Sequence, residues 1–294
     1  MLRYEEDVLK EGTPDIVFIE FAVNDAGDET NGLCYESLIR NIMNGPGNPA
    51  VVLVFAVFAD GFNLEERLVP VGEYYNLPMF SVKRAVFDEF LKKASDGRAI
   101  SRYQYFYDPL HPNNTGHRVM ADCAANLLKA AADAPLEVPV GELPSPLLGV
   151  PFDDLKVLRF NDIPSDAVID EGDFSATDPA TQYVERNLDM QGTPQFPFNK
   201  MHVEGGSKPF VMQMQFKDML IIYLDSADTS VGTADVFVDG KYVRSINPHE
   251  VGWTHVNPYI IYRGETTAMH EVKVQMAEGQ ENLRFTICGF GYTK

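Results

Sequence analysis

The segment Asp108-Pro-Leu-His-Pro-Asn-Asn-Thr-Gly-His117 sets a carboxylate three residues before an imidazole, with prolines at 109 and 112. Proline pushes the residue before it out of the α region, so His111 is expected to be extended, and Pro109 disfavours a regular helix. The result is a short rigid loop ahead of a helix. There Asp108 could hold His111 by Nδ1 and leave Nε2 facing a nucleophile, the acid–base half of a hydrolase triad. The same residue types also suit an ordinary polar loop with an Asx turn and capping side chains. Asp108, His111 and His117 are metal-ligating types as well, although no H-E-x-x-H or denser cluster accompanies them. A second segment, Ile19-Glu-Phe-Ala-Val-Asn24-Asp25, closes an apolar run. Ligands of open α/β sheets bind beyond the carboxyl ends of strands. An Asn at that place can aim an amide N–H at a developing oxyanion, while a plain strand-to-loop turn would satisfy Asn-Asp equally well.

The elements that must position these residues alternate. Asp15–Phe21 and Val51–Phe58 read as buried strands and Pro78–Phe80 as a short third one. Tyr35–Met43 reads as a helix, and Leu64–Tyr75 as another that Pro70 must bend or end. Ser81 suits the N-cap of a following helix. A last helix runs from Asn114 or Thr115 to about Ala132, with Val119, Met120, Cys123, Leu127 and Leu128 on its apolar face. Strands alternating with helices imply a parallel sheet with covered faces, hence a domain over residues 1–133.

Residues 134–150, with Pro135, Pro139, Pro144 and Pro146, read as a linker, because proline breaks both helix and sheet. From 151 to 294 the texture becomes β-rich. Expected strands are Phe210–Phe216, Met219–Leu224, Ala234–Val238, Tyr242–Ile246, Tyr259–Tyr262, Glu271–Met276 and Leu283–Phe290, with Asp239-Gly240 as a hairpin turn. An antiparallel β-sandwich or jelly roll is the expected fold of this part.

The 294 residues carry a net charge of −19 and are 45% hydrophobic, enough for a core, and the acidic balance disfavours nucleic acid, anionic membranes and polyanionic substrates. A neutral small ester or acylated carbohydrate stays open. Cys34, Cys123 and Cys288 are far apart and odd in number, so buried free thiols are expected rather than a disulfide framework or zinc site. No metal or cofactor is expected. Met1–Asp7 lacks the apolar stretch of a signal peptide, and no apolar run reaches the ~18 residues that span a membrane. Compartment and oligomeric state are not legible.

Taken together, IEFAVND and DPLHPNNTGH resemble two blocks of the SGNH (GDSL-type) serine hydrolases, in order, spacing and strand and helix setting. The resemblance implies a flavodoxin-like parallel sheet. It implies Asn24 as an oxyanion-hole donor, His111 as general base, Asp108 as its orienting partner, and His117 as a structural residue at the start of the final helix. Many members have Gly where Ala22 stands, a small change. LIIYLDSAD, GTADVFVDGKYV, GWTHVNP and ENLRFTICGFGY resemble the C-terminal β-domain of a bacterial subgroup. The activity implied is removal of acyl groups, acetyl among them, from a carbohydrate or small ester.

The family's Gly-Asp-Ser block, which carries the nucleophilic serine, precedes the Asn block, and the 294 residues contain neither Gly-Asp-Ser nor G-x-S-x-G. Asp225-Ser226 falls in the β-rich part, where a strand-to-helix nucleophile turn is not expected. Only about 15 residues precede the Asp15–Phe21 strand, which would then be an exposed apolar edge. The expectation is therefore a sequence that begins inside the domain, without its first strands and without esterase activity of its own. The alternative is a non-catalytic protein whose β-part binds sugar or protein, with Trp253, Tyr259 and Tyr262 as a possible aromatic face.

Overall fold

The computed structural model describes residues 2–134, 142–183 and 192–294. They form two compact units, one of Glu11–Asp153 and one of Leu2–Lys10 with Asp154–Lys294. Of the Pro-rich stretch, residues 135–141 (Pro135 and Pro139 among them) lie outside the described residues.

The first unit is built on a parallel three-stranded sheet in the order β1 (Ile16–Glu20), β2 (Ala50–Phe55), β3 (Met79–Ser81). Helices α1 (Leu33–Met43), α2 (Glu65–Tyr74), α3 (Val82–Leu91), α4 (Arg102–Tyr105) and α5 (Asn114–Ala132) complete it. The continuous apolar run Val51–Phe55 is buried throughout, as a central parallel strand requires. Ser81 caps α3 by accepting the Arg84 N–H at 3.1 Å. Pro70 sits inside α2 without ending it. β1 is an edge strand, with Ile16 and Phe18 42% and 45% exposed.

Residues 144–152 are tied to α1 by side chains rather than running free. Glu36 accepts the N–H groups of Leu147 and Leu148, Arg40 donates to Pro144 O, and Ser37 Oγ accepts the Phe152 N–H.

The second unit is an antiparallel sheet in the order β4 (Lys156–Leu158), β11 (Thr286–Thr293), β7 (Phe210–Asp225), β10 (His255–Met276), β8 (Ala234–Val238), β9 (Lys241–Ile246). β5 (Val168–Asp170) pairs with β7, and β6 (Lys200–Met201) with β11. Asp239 and Gly240 both have positive φ, 51° and 73°, the signature of the type I′ turn that joins β8 to β9. Two pairs of expected strands are each one long strand here. Phe210–Phe216 and Met219–Leu224 merge into β7, and Tyr259–Tyr262 and Glu271–Met276 merge into β10 across register shifts. Asp218 makes the first merger possible. Its carboxylate, 0% exposed, accepts Arg263 Nε at 3.0 Å and Thr293 Oγ1 at 2.7 Å, so a charge sits inside the sheet without an unpaired oxygen. Asp218→Ala is expected to lower stability by about 2–4 kcal/mol, because it removes the buried carboxylate that accepts the Arg263 Nε–H and the Thr293 hydroxyl, and a urea titration of the whole chain measures it.

Candidate active site

The loop holding Asp108 and His111 is clamped at both ends. α4 begins with a capping box in which Ser101 Oγ accepts the Gln104 N–H and Gln104 Oε1 accepts the Ser101 N–H. Beyond it Phe106 bridges Pro112, Tyr107 N–H donates to His111 O at 2.8 Å, and Asn113 N–H donates to Tyr105 O at 2.9 Å. Asn113 caps α5 through the N–H groups of Thr115 and Gly116. Gly116 lies against the loop so closely that an added Cβ would meet Tyr105 O at 2.4 Å, so the helix start can approach only with glycine there.

Within this clamp Asp108 Oδ1 accepts the N–H groups of Leu110 and His111, each at 2.8 Å, and Asp108 Oδ2 stands 2.8 Å from His111 Nδ1. The imidazole hydrogen bond first, then the two amides, hold the Asp108 carboxyl below its ordinary range. The His111 side chain is 71% exposed, and its Nε2 makes no hydrogen bond among the described residues. A cleft of about 450 Å³ opens beside it, lined by Tyr107, His111 and His117 among others. His117 is exposed in the first turn of α5 rather than packed there.

Asn24 follows β1 and is exposed, and its amide makes no hydrogen bond among the described residues. The turn that carries it is fixed from below. Ala22, fully buried, gives its carbonyl to Leu64 N–H at 2.7 Å, and its own N–H goes to Glu20 Oε1 at 3.0 Å. The loop after β2 thus holds the Asn24 turn through Leu64. It also holds the Asp108 loop, since Ala59 N–H donates to Pro109 O at 3.0 Å. Both segments therefore gather at the carboxyl end of the parallel sheet, where α/β sheets bind ligands.

Glu20 was not singled out by sequence reasoning. Burial raises its carboxyl, as burial raises that of Asp25, and both charges face Tyr35, whose buried hydroxyl has no hydrogen-bond partner among the described residues. The only signal in the sequence was an acidic residue ending an apolar strand.

In the second unit Asp225 is buried at the end of β7 and accepts the N–H groups of Glu250 and Val251, while Ser226 Oγ accepts the Asp228 N–H. Both are occupied with turns. Tyr259 is stacked between the Tyr223 ring at 5.6 Å and the Arg244 guanidinium at 3.7 Å, and Tyr262 packs on Phe216 and His270. Trp253 is 62% exposed. Two members of the expected aromatic face are thus committed to packing. Cys34, Cys123 and Cys288 are free thiols. Among the described residues no three His, Cys, Asp or Glu side chains gather as metal ligands, and no helix is long and apolar enough to cross a membrane.

No protein-family model and no curated protein matches the chain. Among solved structures, a two-domain esterase active on acetylated mannans, co-crystallised with mannopentaose, superimposes with a TM-score of 0.78 at 22% identity. The match covers 100% of this chain and 76% of that one. The chain shares the fold of that two-domain protein. A second structure of such an esterase agrees, with a TM-score of 0.77 at 22% identity, covering 99% and 76%. An acetyl xylan esterase from Butyrivibrio proteoclasticus overlaps only partly, with a TM-score of 0.27 at 15% identity over 47% of this chain and 32% of its own. At these identities the likeness carries the fold, a parallel α/β unit joined to an antiparallel one.

Proposed function

We propose that this chain carries the acid–base and oxyanion parts of an SGNH-type serine ester hydrolase that removes acetyl groups from a carbohydrate, and that the nucleophilic serine is not among these 294 residues. In this reading the unit of Glu11–Asp153 holds a flavodoxin-like hydrolase sheet, and Asp154–Lys294, with Leu2–Lys10, form a jelly-roll-like domain. The observation that carries the proposal is the Asp108–His111 pair. Its carboxylate is fixed by two amides, its Nδ1 is engaged and its Nε2 is free and exposed. The fold shared with an esterase active on acetylated mannans supports it.

The chemistry follows from the roles. A serine hydroxyl brought to His111 Nε2 loses its proton to the imidazole as it attacks the acetyl carbonyl. Asp108 holds the tautomer that can accept that proton and stabilises the imidazolium. Asn24 donates an amide N–H to the oxyanion. The imidazolium then returns the proton to the departing sugar oxygen, and water, activated by the same His111, releases acetate.

Acetate release from acetylated mannan tests the proposal. The chain alone is expected to release none above buffer. With a serine-bearing segment supplied, release is expected and should fall on the order of 10⁴–10⁶-fold in His111→Ala. Turnover by the chain alone that His111→Ala abolishes would place the nucleophile inside it and overturn that part of the proposal; release indifferent to His111 would overturn the whole.

A further inference from the structure

Tyr103 and Tyr107 are the two most exposed aromatic side chains among the described residues, at 95% and 82%. A ring left this bare contributes nothing to the core, whereas a buried tyrosine would. Both line one cleft of about 570 Å³ together with Arg98, Ser101, Arg102 and Asp108. The backbone beneath them is fixed. Tyr103 stands on α4 behind its capping box, and Tyr107 N–H is bonded to His111 O. The Arg102 guanidinium, half-buried with its Nε shielded from solvent, makes no hydrogen bond or ion pair among the described residues. Its terminal nitrogens are not among the shielded atoms, so they stand open as donors to whatever enters the cleft.

We propose that this cleft is a binding subsite for a neutral oligosaccharide chain, with sugar rings stacked on Tyr103 and Tyr107 and hydroxyls bonded to the Arg102 guanidinium. A pyranose presents apolar C–H faces and a rim of hydroxyls, each both donor and acceptor. The cleft presents aromatic faces, the guanidiniums of Arg98 and Arg102, and a carboxylate. Arg98 and Arg102 offset Asp108 within the cleft, so it is the field of a chain of net charge −19 that disfavours an anionic sugar and leaves the neutral class as the one that fits. The volume lies in the ordinary range for ligand sites. Tyr107 also lines the smaller cleft with His111. A sugar stacked on its ring is thereby handed to the imidazole in register, leaving the flanking sugars on Tyr103. The subsite rests on the esterase reading for its purpose, but its occupancy is measurable without turnover.

An amide-resolved NMR titration of the full chain with mannopentaose is the test. Saturable shifts are expected at Arg98, Ser101–Asp108 and His111. Tyr103→Ala and Tyr107→Ala are each expected to weaken binding about 3–10-fold, the effect of losing one aromatic stacking contact. The double variant should approach loss of binding, and both rings are too exposed for their removal to unfold the chain. Trp253→Ala is expected to leave the affinity unchanged. The proposal is overturned if the tyrosine variants bind as the parent does, if Trp253→Ala abolishes binding, if an oligogalacturonate binds more tightly than mannopentaose, or if no shift occurs up to about 10 mM sugar. A chain that binds sugar through these tyrosines yet gains no His111-dependent acetate release would retain the subsite and refute the esterase reading, and the reverse result would do the opposite.

Discussion

Glu36→Ala is expected to cost the α/β unit about 3–5 kcal/mol, a large fraction of an ordinary domain's stability. The carboxylate is 0% exposed and every bond it makes is long-range. Oε1 accepts Leu147 N–H and Tyr75 Oη, each at 2.5 Å, and Oε2 accepts Leu148 N–H at 2.7 Å. Arg40 stands alongside, donating to Tyr75 Oη at 3.0 Å and to Pro144 O at 2.7 Å. Burial and the bond to Glu36 push the Tyr75 hydroxyl up to about 12, so it remains a donor at any working pH. Alanine removes the acceptor and strands two amides and a phenol at once. Glutamine keeps one oxygen but turns an NH₂ toward an N–H donor, so Glu36→Gln should lose about 1–3 kcal/mol. Urea unfolding followed by far-ultraviolet circular dichroism gives the global figure. Hydrogen exchange at Leu147 and Leu148 gives the local one, with protection at both amides collapsing in the alanine variant. A loss below about 0.5 kcal/mol would mean that residues 144–152 are held by something other than Glu36.

That same tether shows where sequence reading stops. Proline content marks residues 134–150 as chain that should not join helix or sheet; residues 135–141 lie outside the described residues, and 142–150 carry no helix or strand. Nothing local, however, tells that a glutamate on α1 waits for amides more than a hundred positions away. The merged strands fail for a related reason. Lys217-Asp218 reads as a polar break because an unpaired carboxylate inside a sheet is forbidden, and only the fold reveals Arg263 and Thr293 as its partners. The N-terminal stretch Leu2–Lys10 belongs with the β-rich unit, where Leu2 packs against the Ile222, Leu224 and Cys288 cluster, a pairing no periodicity could suggest. What was legible is what local chemistry decides. The apolar runs of β1 and β2, the Ser81 cap, the Asp239-Gly240 turn and the short span from Asp108 to His111 are all set within a few residues. The exposed edge of β1 belongs to this class too, since the apolar run is local even though its partner is not. Tyr103 and Tyr107 went unnoticed because aromatic residues ordinarily signal core, and their exposure is a property of the fold alone.

Asp108→Asn should reverse the His111 tautomer and, with the nucleophile in place, slow acetate release by about 10⁴-fold. In the parent, Oδ2 can only accept, so His111 Nδ1 must carry the proton and Nε2 is left with the lone pair that a serine hydroxyl needs. In the variant, Asn Oδ1 still accepts the Leu110 and His111 amides, which keeps the loop in shape. The NH₂ then faces Nδ1, and the imidazole shifts its proton to Nε2, where it blocks the attack. Nitrogen-15 spectra of the imidazole read the tautomer directly in the chain as it stands, with no need for turnover. A parent already in the Nε2–H form, or a variant unchanged from it, would show that Asp108 does not orient the ring. The pH dependence has a definite sign. The Asp108 carboxyl is held below its ordinary range, so its contribution to the folded loop is complete above that range and is lost only as pH falls through the lower folded value. The Leu110 and His111 amides should therefore keep their hydrogen-exchange protection to below about pH 4, the point at which a free aspartate would have released them. In Asp108→Asn that acid limit should vanish, because an amide has no proton to gain.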